Sequence, residues 1–117
     1  MEIKKPIVFK TEDSIWQMMK DGTKTWDFRR HDMSDDRIYR LSWGKFESFP
    51  HGASPKYVPE ESTVQFLNKD THEILEIWFW GLKFTDFAPG WCFIILGSLK
   101  SFYDIKGWHQ VGIDEEK

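Results

Sequence analysis

Three side chains with complementary chemistry stand close together early in the chain. Lys24, Asp27 and Arg29 follow Gly22 in a segment where polar and apolar residues alternate. Residues two apart on a β-strand lie about 6.6 Å apart on one face, so Asp27 and Arg29 would place a carboxylate acceptor beside a guanidinium fork. Such a pair can bind a nucleobase edge and a phosphate together, and Lys24 adds a point charge for a phosphate. The same spacing also predicts an alternative, a simple ion pair on an exposed strand.

The neighbouring sequence supplies more positive charge and several aromatic rings. Residues 20–45 contain seven basic and five acidic side chains, a local excess of positive charge in a chain of net charge −3. Stacking of a base on an aromatic ring contributes about 1–3 kcal/mol. The ring could come from Trp26, Tyr39, Trp43 or Trp78. The sequence predicts a ligand-binding site made of Lys24, Trp26, Asp27, Arg29, Arg30, Tyr39 and Trp43.

A helix and a strand must position these side chains. Apolar residues at helical spacing, followed by Gly22, predict a helix over residues 11–21. Alternation predicts a strand over residues 24–30, with Trp26 and Phe28 facing the core and the polar side chains facing the groove.

The rest of the chain reads mainly as β-structure. Residues 37–43 predict a second strand, and the proline-rich residues 47–61 predict a long loop. A hairpin is predicted from residues 62–67 and 73–80, and the apolar run at 91–96 predicts a strand covered on both faces. One early helix and about six strands indicate an α+β domain with a curled mixed or antiparallel sheet.

Length and composition limit the function classes. A chain of 117 residues fits one domain, and a net charge of −3 with a pI near 5.8 argues against a general polyanion-binding protein. The single cysteine, Cys92, cannot form an internal disulfide, which favours a reducing cytoplasm. We expect no leader peptide and no membrane association, because no apolar stretch approaches the length that spans a bilayer. The four histidines lack the spacing of metal ligands, so neither a metal nor a cofactor is predicted.

The pattern Gly22-x-Lys24-x-x-Asp27-x-Arg29 resembles the G-x-K-x-x-E-x-R signature of ASCH domains, members of the PUA-like superfamily. Asp27 stands where that signature has glutamate. In the family a short strand and a helix precede the signature and a β-barrel follows it, which is the order expected here. Together with the ending at residues 91–97, the motif is most similar to small ASCH-like proteins of phages and bacteria.

The resemblance covers about residues 7–98 of a single domain and leaves an aromatic C-terminal extension at 99–117. It implies a PUA-like curled β-barrel of five to six strands with one N-terminal helix. It also implies that the motif side chains form the floor of a cleft for RNA, a nucleotide or a modified base. We therefore expect a cytoplasmic monomer that binds single-stranded RNA or a nucleotide.

One alternative function is enzymatic. Some small ASCH-like proteins are amidohydrolases that deacylate modified cytidine with a lysine, a threonine three residues later and a glutamate. Lys24 matches the lysine, but Asp27 occupies the threonine position and is no alkoxide-type nucleophile. The segment before the last predicted strand offers only Asp86 as an acid, and Glu73 and Glu76 are substitutes on the preceding strand. No catalytic residue is assigned.

Two further alternatives stay open. RNA cleavage could use Lys24 and Tyr39 as acid or base. Small phage proteins often act on host machinery, and the rings of Phe102, Tyr103 and Trp108 could contact a host protein. Binding to nucleic acid would weaken steeply as salt rises, whereas a protein interface would depend on aromatic side chains.

Overall fold

The structure, a computed structural model, describes residues 5–47 and 56–111 as an α+β arrangement of strands with two short helices. The elements in chain order are β1 (Val8–Thr11), α1 (Asp13–Lys20), β2 (Trp26–Arg30), α2 (Asp36–Leu41), β3 (Gly44–Glu47), β4 (Lys56–Pro59), β5 (Thr63–Asn68), β6 (Ile74–Phe84), β7 (Trp91–Asp104) and β8 (Gly107–Gln110). The main sheet has the order β1-β5-β6-β7-β2, with β8 paired to β7, and β3 and β4 form a separate hairpin. Only the β1–β5 ladder is parallel among these described pairs.

The core fills the space between one face of this sheet and the two helices. Alternate residues of β6 and β7 face it, as period-two alternation requires. The indole N–H of the buried Trp16 donates to the Phe66 carbonyl at 3.0 Å, so the largest core side chain keeps its hydrogen bond. The most buried apolar side chains are Phe9, Trp16, Ile38, Leu41, Val64, Phe66, Leu75, Ile77, Cys92, Ile94 and Leu96.

The predicted first helix and central hairpin are confirmed. α1 lies within the predicted residues 11–21, and the chain leaves it through Gly22, whose φ of +84° is the left-handed conformation that favours glycine. β5 and β6 occupy the predicted hairpin, and β6 continues four residues beyond it. The predicted α+β class is therefore confirmed.

The predicted strand over residues 37–43 is wrong, because α2 occupies most of it. The Asp35 side chain accepts a hydrogen bond from the Arg37 backbone N–H at 3.0 Å and caps the helix. Ile38 and Leu41, three residues apart, are both buried, which is helical spacing. Tyr39 therefore projects from a helix and not from a strand.

The predicted orientation of β2 is also wrong. Asp27 is only 7 % exposed, whereas Trp26 is 42 % exposed. The antiparallel ladder places Asp27 opposite Ile94 and Arg29 opposite Cys92, and both of these β7 residues face the core. The polar side of the strand thus faces inward, while Trp26 and Phe28 lie on the outer face with the half-buried alternate residues of β7.

The proline-rich segment predicted as a loop at 47–61 is partly ordered. β3 and β4 pair from Gly44 opposite Pro59 to Glu47 opposite Lys56, so the two ends of the segment form a hairpin. Residues 48–55 of the predicted loop lie outside the described residues.

The main sheet does not close into a barrel within the described part of the chain, because its order ends at β1 and β2 without a ladder between them. β7 passes through residue 98 unbroken, and its second half pairs with β8. The two described helices are too short and too polar to cross a bilayer.

Candidate functional site

The open edge of β1 is covered by two arginine side chains, one from β2 and one from α2. β1 uses alternate carbonyls for its ladder, as when Ile7 accepts from the Gln65 N–H at 2.8 Å. The carbonyls between them point away from β5. Val8 accepts from Nη1 of Arg37, and Lys10 accepts from Nη2 of Arg29, each at 3.0 Å. Two guanidinium groups therefore occupy the place of a neighbouring strand.

Asp27 holds Arg29 in this position. Arg29 Nε donates to Asp27 Oδ2 at 2.6 Å, and the Asp27 side chain is 10 % exposed against 29 % for Arg29. A charge-assisted bond this short, largely shielded from water, orients the guanidinium. Asp27 is thus bound to Arg29 and is not presented beside it to a ligand, which leaves Arg29 as the more accessible of the two side chains.

A second pair fixes Arg37. Its Nε and Nη2 donate to the two carboxylate oxygens of Asp35 at 3.0 and 2.7 Å, a bidentate pair. The hydrogen bonds from Arg37 hold the pKa of Asp35 below its usual value, and the same bonds raise the pKa of Arg37. Both groups are therefore charged at neutral pH.

These arginines line a cavity of about 350 Å³, which we call the arginine cavity. The guanidinium carbons of Arg29 and Arg37 lie 4.8 and 4.3 Å from the ring centroid of Phe9, and that of Arg30 lies 5.2 Å from the Trp91 ring. Its walls are formed by Phe9, Phe28, Arg29, Arg30, Asp32, Asp35, Arg37, Ile38 and Trp91. Three guanidinium groups thus share the cavity with aromatic rings and with two carboxylates, those of Asp32 and Asp35. Arginine beside aromatic rings suits an anion that carries a planar group.

The donors that remain in this cavity belong mainly to Arg29 and Arg30. Asp35 is held by Arg37, and Asp32 accepts from the N–H and hydroxyl of Ser34 at 2.9 and 2.6 Å. Neither Arg29 Nη1 nor the Arg30 guanidinium has a hydrogen-bond or ion-pair partner within residues 5–47 and 56–111. An anion entering the cavity would meet these groups without breaking an ion pair, and Asp32 is an acid whose charge Arg30 also attracts.

The outer face of β2 and β7 carries a second cavity, of about 370 Å³, which we call the aromatic cavity. Trp26 lies edge-to-face with Phe93, with 5.5 Å between ring centroids, and Lys24 Nζ lies 3.5 Å from the Trp26 ring centroid. The walls are Thr25, Trp26, Lys83, Phe84, Thr85, Phe87, Phe93 and Ile95.

The structure divides the predicted site residues among three places. Arg29 and Arg30 line the arginine cavity, and Asp27 is bonded to Arg29. Lys24 and Trp26 lie at the aromatic cavity. Tyr39 and Trp43, the other two predicted site residues, pack on each other with 5.2 Å between ring centroids and line neither cavity.

Sequence reasoning missed Arg37, Phe9 and Trp91, which complete the arginine cavity. A signal for Arg37 was present, because Asp35 two residues earlier is a good helix N-cap and the helix directs Arg37 toward β1. No local pattern pointed to Phe9, since its proximity to Arg29 arises only when β1 and β2 become the two edges of one sheet.

Two of the residues weighed for amide hydrolysis, Lys24 and Glu76, are not brought together. Thr25 lies opposite Leu96, because the Thr25 carbonyl accepts a hydrogen bond from the Leu96 N–H at 2.9 Å. Lys24 therefore lies at this end of the β2–β7 ladder. Glu76 lies opposite Ser101 and accepts from its hydroxyl at 3.1 Å. Five residues of β7 separate the two positions, about 16 Å.

Acidic, histidine and cysteine side chains do not cluster for metal binding in the part of the chain that the structure describes, where no group of three or more could hold an ion. Compared with protein-family models, with curated proteins and with solved structures, the chain matches none. Its function is therefore inferred from its own residues.

Proposed function

We propose that this protein binds single-stranded RNA or a nucleotide, with a phosphate of the ligand in the arginine cavity. One observation carries the proposal: three guanidinium groups, from Arg29, Arg30 and Arg37, line a single cavity whose walls include aromatic rings. Arginine forks match the geometry of phosphate oxygens, and aromatic faces accept bases.

Preorganisation supports this proposal. Asp27 and Asp35 each fix one guanidinium, so those side chains lose little freedom when a ligand binds. Arg30 stacks over Trp91, and the Trp91 ring is stacked in turn on Phe28 with 5.0 Å between centroids and 5° between planes. The donors are thus held at the cavity before a ligand arrives.

We also propose that the sheet is an open form of the PUA-like barrel, in keeping with the ASCH-like motif. In this interpretation Arg29 of β2 reaches β1 across the gap where a closed barrel would have a backbone ladder, and Arg37 of α2 binds a second β1 carbonyl. A cytoplasmic monomer fits this proposal, since the only cysteine, Cys92, is a buried free thiol.

Arg30→Ala tests the proposal, because Arg30 reaches the cavity without a structural ion pair within the described chain. Its loss removes hydrogen bonds to a charged phosphate, so we expect affinity for nucleoside monophosphates and short single-stranded RNA to fall about 10- to 150-fold. The slope of log affinity against log salt should become shallower by about 0.7 for the RNA. Calorimetric or fluorescence titration measures both quantities.

The matched control is Lys106→Ala, which removes the same charge from the exposed turn before β8. It should leave affinity within about twofold, because a distant exposed charge is screened. Equal affinity for the two variants, or absence of binding by the parent protein to every nucleotide and RNA tested, contradicts the proposal.

Binding of a host protein is the second candidate. It is favoured by a separate apolar cavity of about 470 Å³ formed by Tyr57, Val58, Pro59, Phe79 and Trp80, where Trp80 is 63 % exposed. The affinity for such a protein partner would change little with salt concentration or with Arg30→Ala, so the same titrations separate the two functions.

A further inference from the structure

Aromatic rings run without a break across the outer face of β2 and β7. Trp91 stacks on Phe28, Phe28 lies 4.8 Å from Phe93, and Phe93 lies 5.5 Å from Trp26, measured between ring centroids. The row begins at the arginine cavity, where Phe28 and Trp91 are wall residues, and ends in the aromatic cavity. The two cavities are therefore joined by one aromatic surface.

The far end of this row is exposed and unusually apolar for a protein surface. Phe87, on the rim of the aromatic cavity, is 78 % exposed and lies 6.3 Å from Phe93 between centroids. Exposed apolar surface shaped into a cavity of this size commonly marks a binding site.

Positive charge lies at both ends of the row. Lys24 covers the Trp26 ring, Lys83 lines the aromatic cavity and Arg30 lies over Trp91. The nearest acid of β2, Asp27, faces inward under Arg29. Aromatic surface with a basic border complements a chain that has flat apolar faces and a regularly charged backbone, which is single-stranded nucleic acid.

The length of the row exceeds one nucleotide-binding position. Trp26 and Arg30 are four residues apart on β2, about 13 Å. A single nucleotide offers one base and one phosphate, whereas a strand offers several of each along that distance. Lys24 occupies the ring face that a base would use, so an entering base would displace the ammonium toward the backbone phosphates.

Building on the proposed function, we infer that the ligand is a single strand of at least two nucleotides, lying across the outer face of β2 and β7. One phosphate occupies the arginine cavity, and a base further along the same strand stacks in the aromatic cavity against Trp26. Recognition of the strand is then shared between the two cavities. A mononucleotide held in the arginine cavity does not contact the aromatic cavity.

Titration with ligands of increasing length tests this inference. The probes are a nucleoside monophosphate, a dinucleotide and homopolymeric octanucleotides of RNA and of DNA, and the variant is Trp26→Ala. We expect the octanucleotide to bind more tightly than the monophosphate. Trp26→Ala should weaken the octanucleotide about 5- to 150-fold and leave the monophosphate unchanged. The RNA and DNA arms show which sugar is preferred.

Trp108→Ala is the matched control, because it removes an exposed tryptophan from β8, at the opposite end of β7. It should leave both affinities unchanged. Circular dichroism checks folding, and Phe87→Ala replaces Trp26→Ala if the latter unfolds, with the same expected pattern.

The possible failures are distinguishable. The inference is wrong, and the proposed function stands, if the monophosphate binds through Arg30 but the octanucleotide binds no more tightly than the monophosphate. The same conclusion follows if Trp26→Ala and Phe87→Ala leave the affinity for the octanucleotide unchanged. If neither ligand binds the parent protein, the proposed function itself is wrong. Weakening by Trp108→Ala equal to that by Trp26→Ala also overturns the inference, since the effect is then not specific to this face.

Discussion

Replacing Arg29 by methionine should destabilise the protein well beyond the loss of an exposed ion pair. Methionine keeps an unbranched apolar stem beside Phe9 but removes the guanidinium. The Asp27 carboxylate, 10 % exposed, then loses the donor that lies 2.6 Å away. The hydrogen bond from Arg29 to the Lys10 carbonyl is lost as well. A buried charge without its partner costs far more than the pair contributes.

The magnitude follows from the burial of the two partners. Breaking a fully buried pair costs about 3–5 kcal/mol and an exposed pair about 0–1 kcal/mol. Because the Arg29 side chain is 29 % exposed, we place the ion-pair loss near 2 kcal/mol. The carbonyl of Lys10 adds about 1 kcal/mol. A total near 3 kcal/mol lowers the melting temperature by about 12 °C in a domain of this size.

Arg37→Met is the matched comparison, because Arg37 also has one acidic partner and one β1 carbonyl. Its pair with Asp35 is more exposed, so we expect a loss of about 1–2 kcal/mol. Urea denaturation and calorimetry measure both variants. The double substitution Asp27→Asn with Arg29→Met should recover part of the loss, since the buried charge is gone. An Arg29→Met variant no less stable than Arg37→Met, or no recovery in the double variant, would show that Asp27 reaches water when Arg29 is removed.

Two further predictions concern titratable groups. The folded pKa of Asp35 is lowered by Arg37, so its contribution to stability is full above pH about 4 and disappears as pH falls through the lower folded value. Asp35→Asn should therefore be less stable than the parent at pH 7, with a difference in urea midpoint that narrows below pH 4; a constant difference contradicts this. Burial, with the nearby Asp27 charge, raises the pKa of the Cys92 thiol, so its reaction with a disulfide reagent at neutral pH should be slow and should follow global unfolding. Fast reaction of the folded protein would be incompatible with the buried position of Cys92.

The elements that follow from sequence are those with one unambiguous periodicity. Leu75, Ile77 and Phe79 alternate with more polar or more exposed residues, and β6 forms where that alternation predicts it. The segment around Tyr39 fits a period of two and a helical spacing equally well over so few residues. The cap supplied by Asp35 and the burial of Ile38 favour the helix.

The orientation of β2 depends on information that its own residues do not contain. Alternation identifies two faces, and apolar side chains ordinarily take the inner one. Here the inner face of β7 is already filled by Ile94 and Cys92, and the register places Asp27 and Arg29 beside them. That burial is tolerable because the two charges pair with each other and Arg29 also reaches the Lys10 carbonyl, 19 residues away in sequence.

Part of the candidate site was likewise accessible from the sequence. The local excess of positive charge identified Arg29 and Arg30 and the neighbouring Lys24 and Trp26. It did not show that Arg29 and Arg30 line one cavity whereas Trp26, with Lys24 over its ring, lies at another. The predicted stacking role of Tyr39 depends on a strand at this position, where the structure has a helix.

The side-chain caps on β1 bear on how the protein behaves at high concentration. An edge strand with unpaired carbonyls is a template on which a second molecule can add its own strand, and such pairing leads to aggregation. Any incoming N–H would have to displace a charged guanidinium from the Val8 or Lys10 carbonyl. Arg37 and Arg29 therefore oppose the addition of a strand at this edge, independently of any ligand they bind.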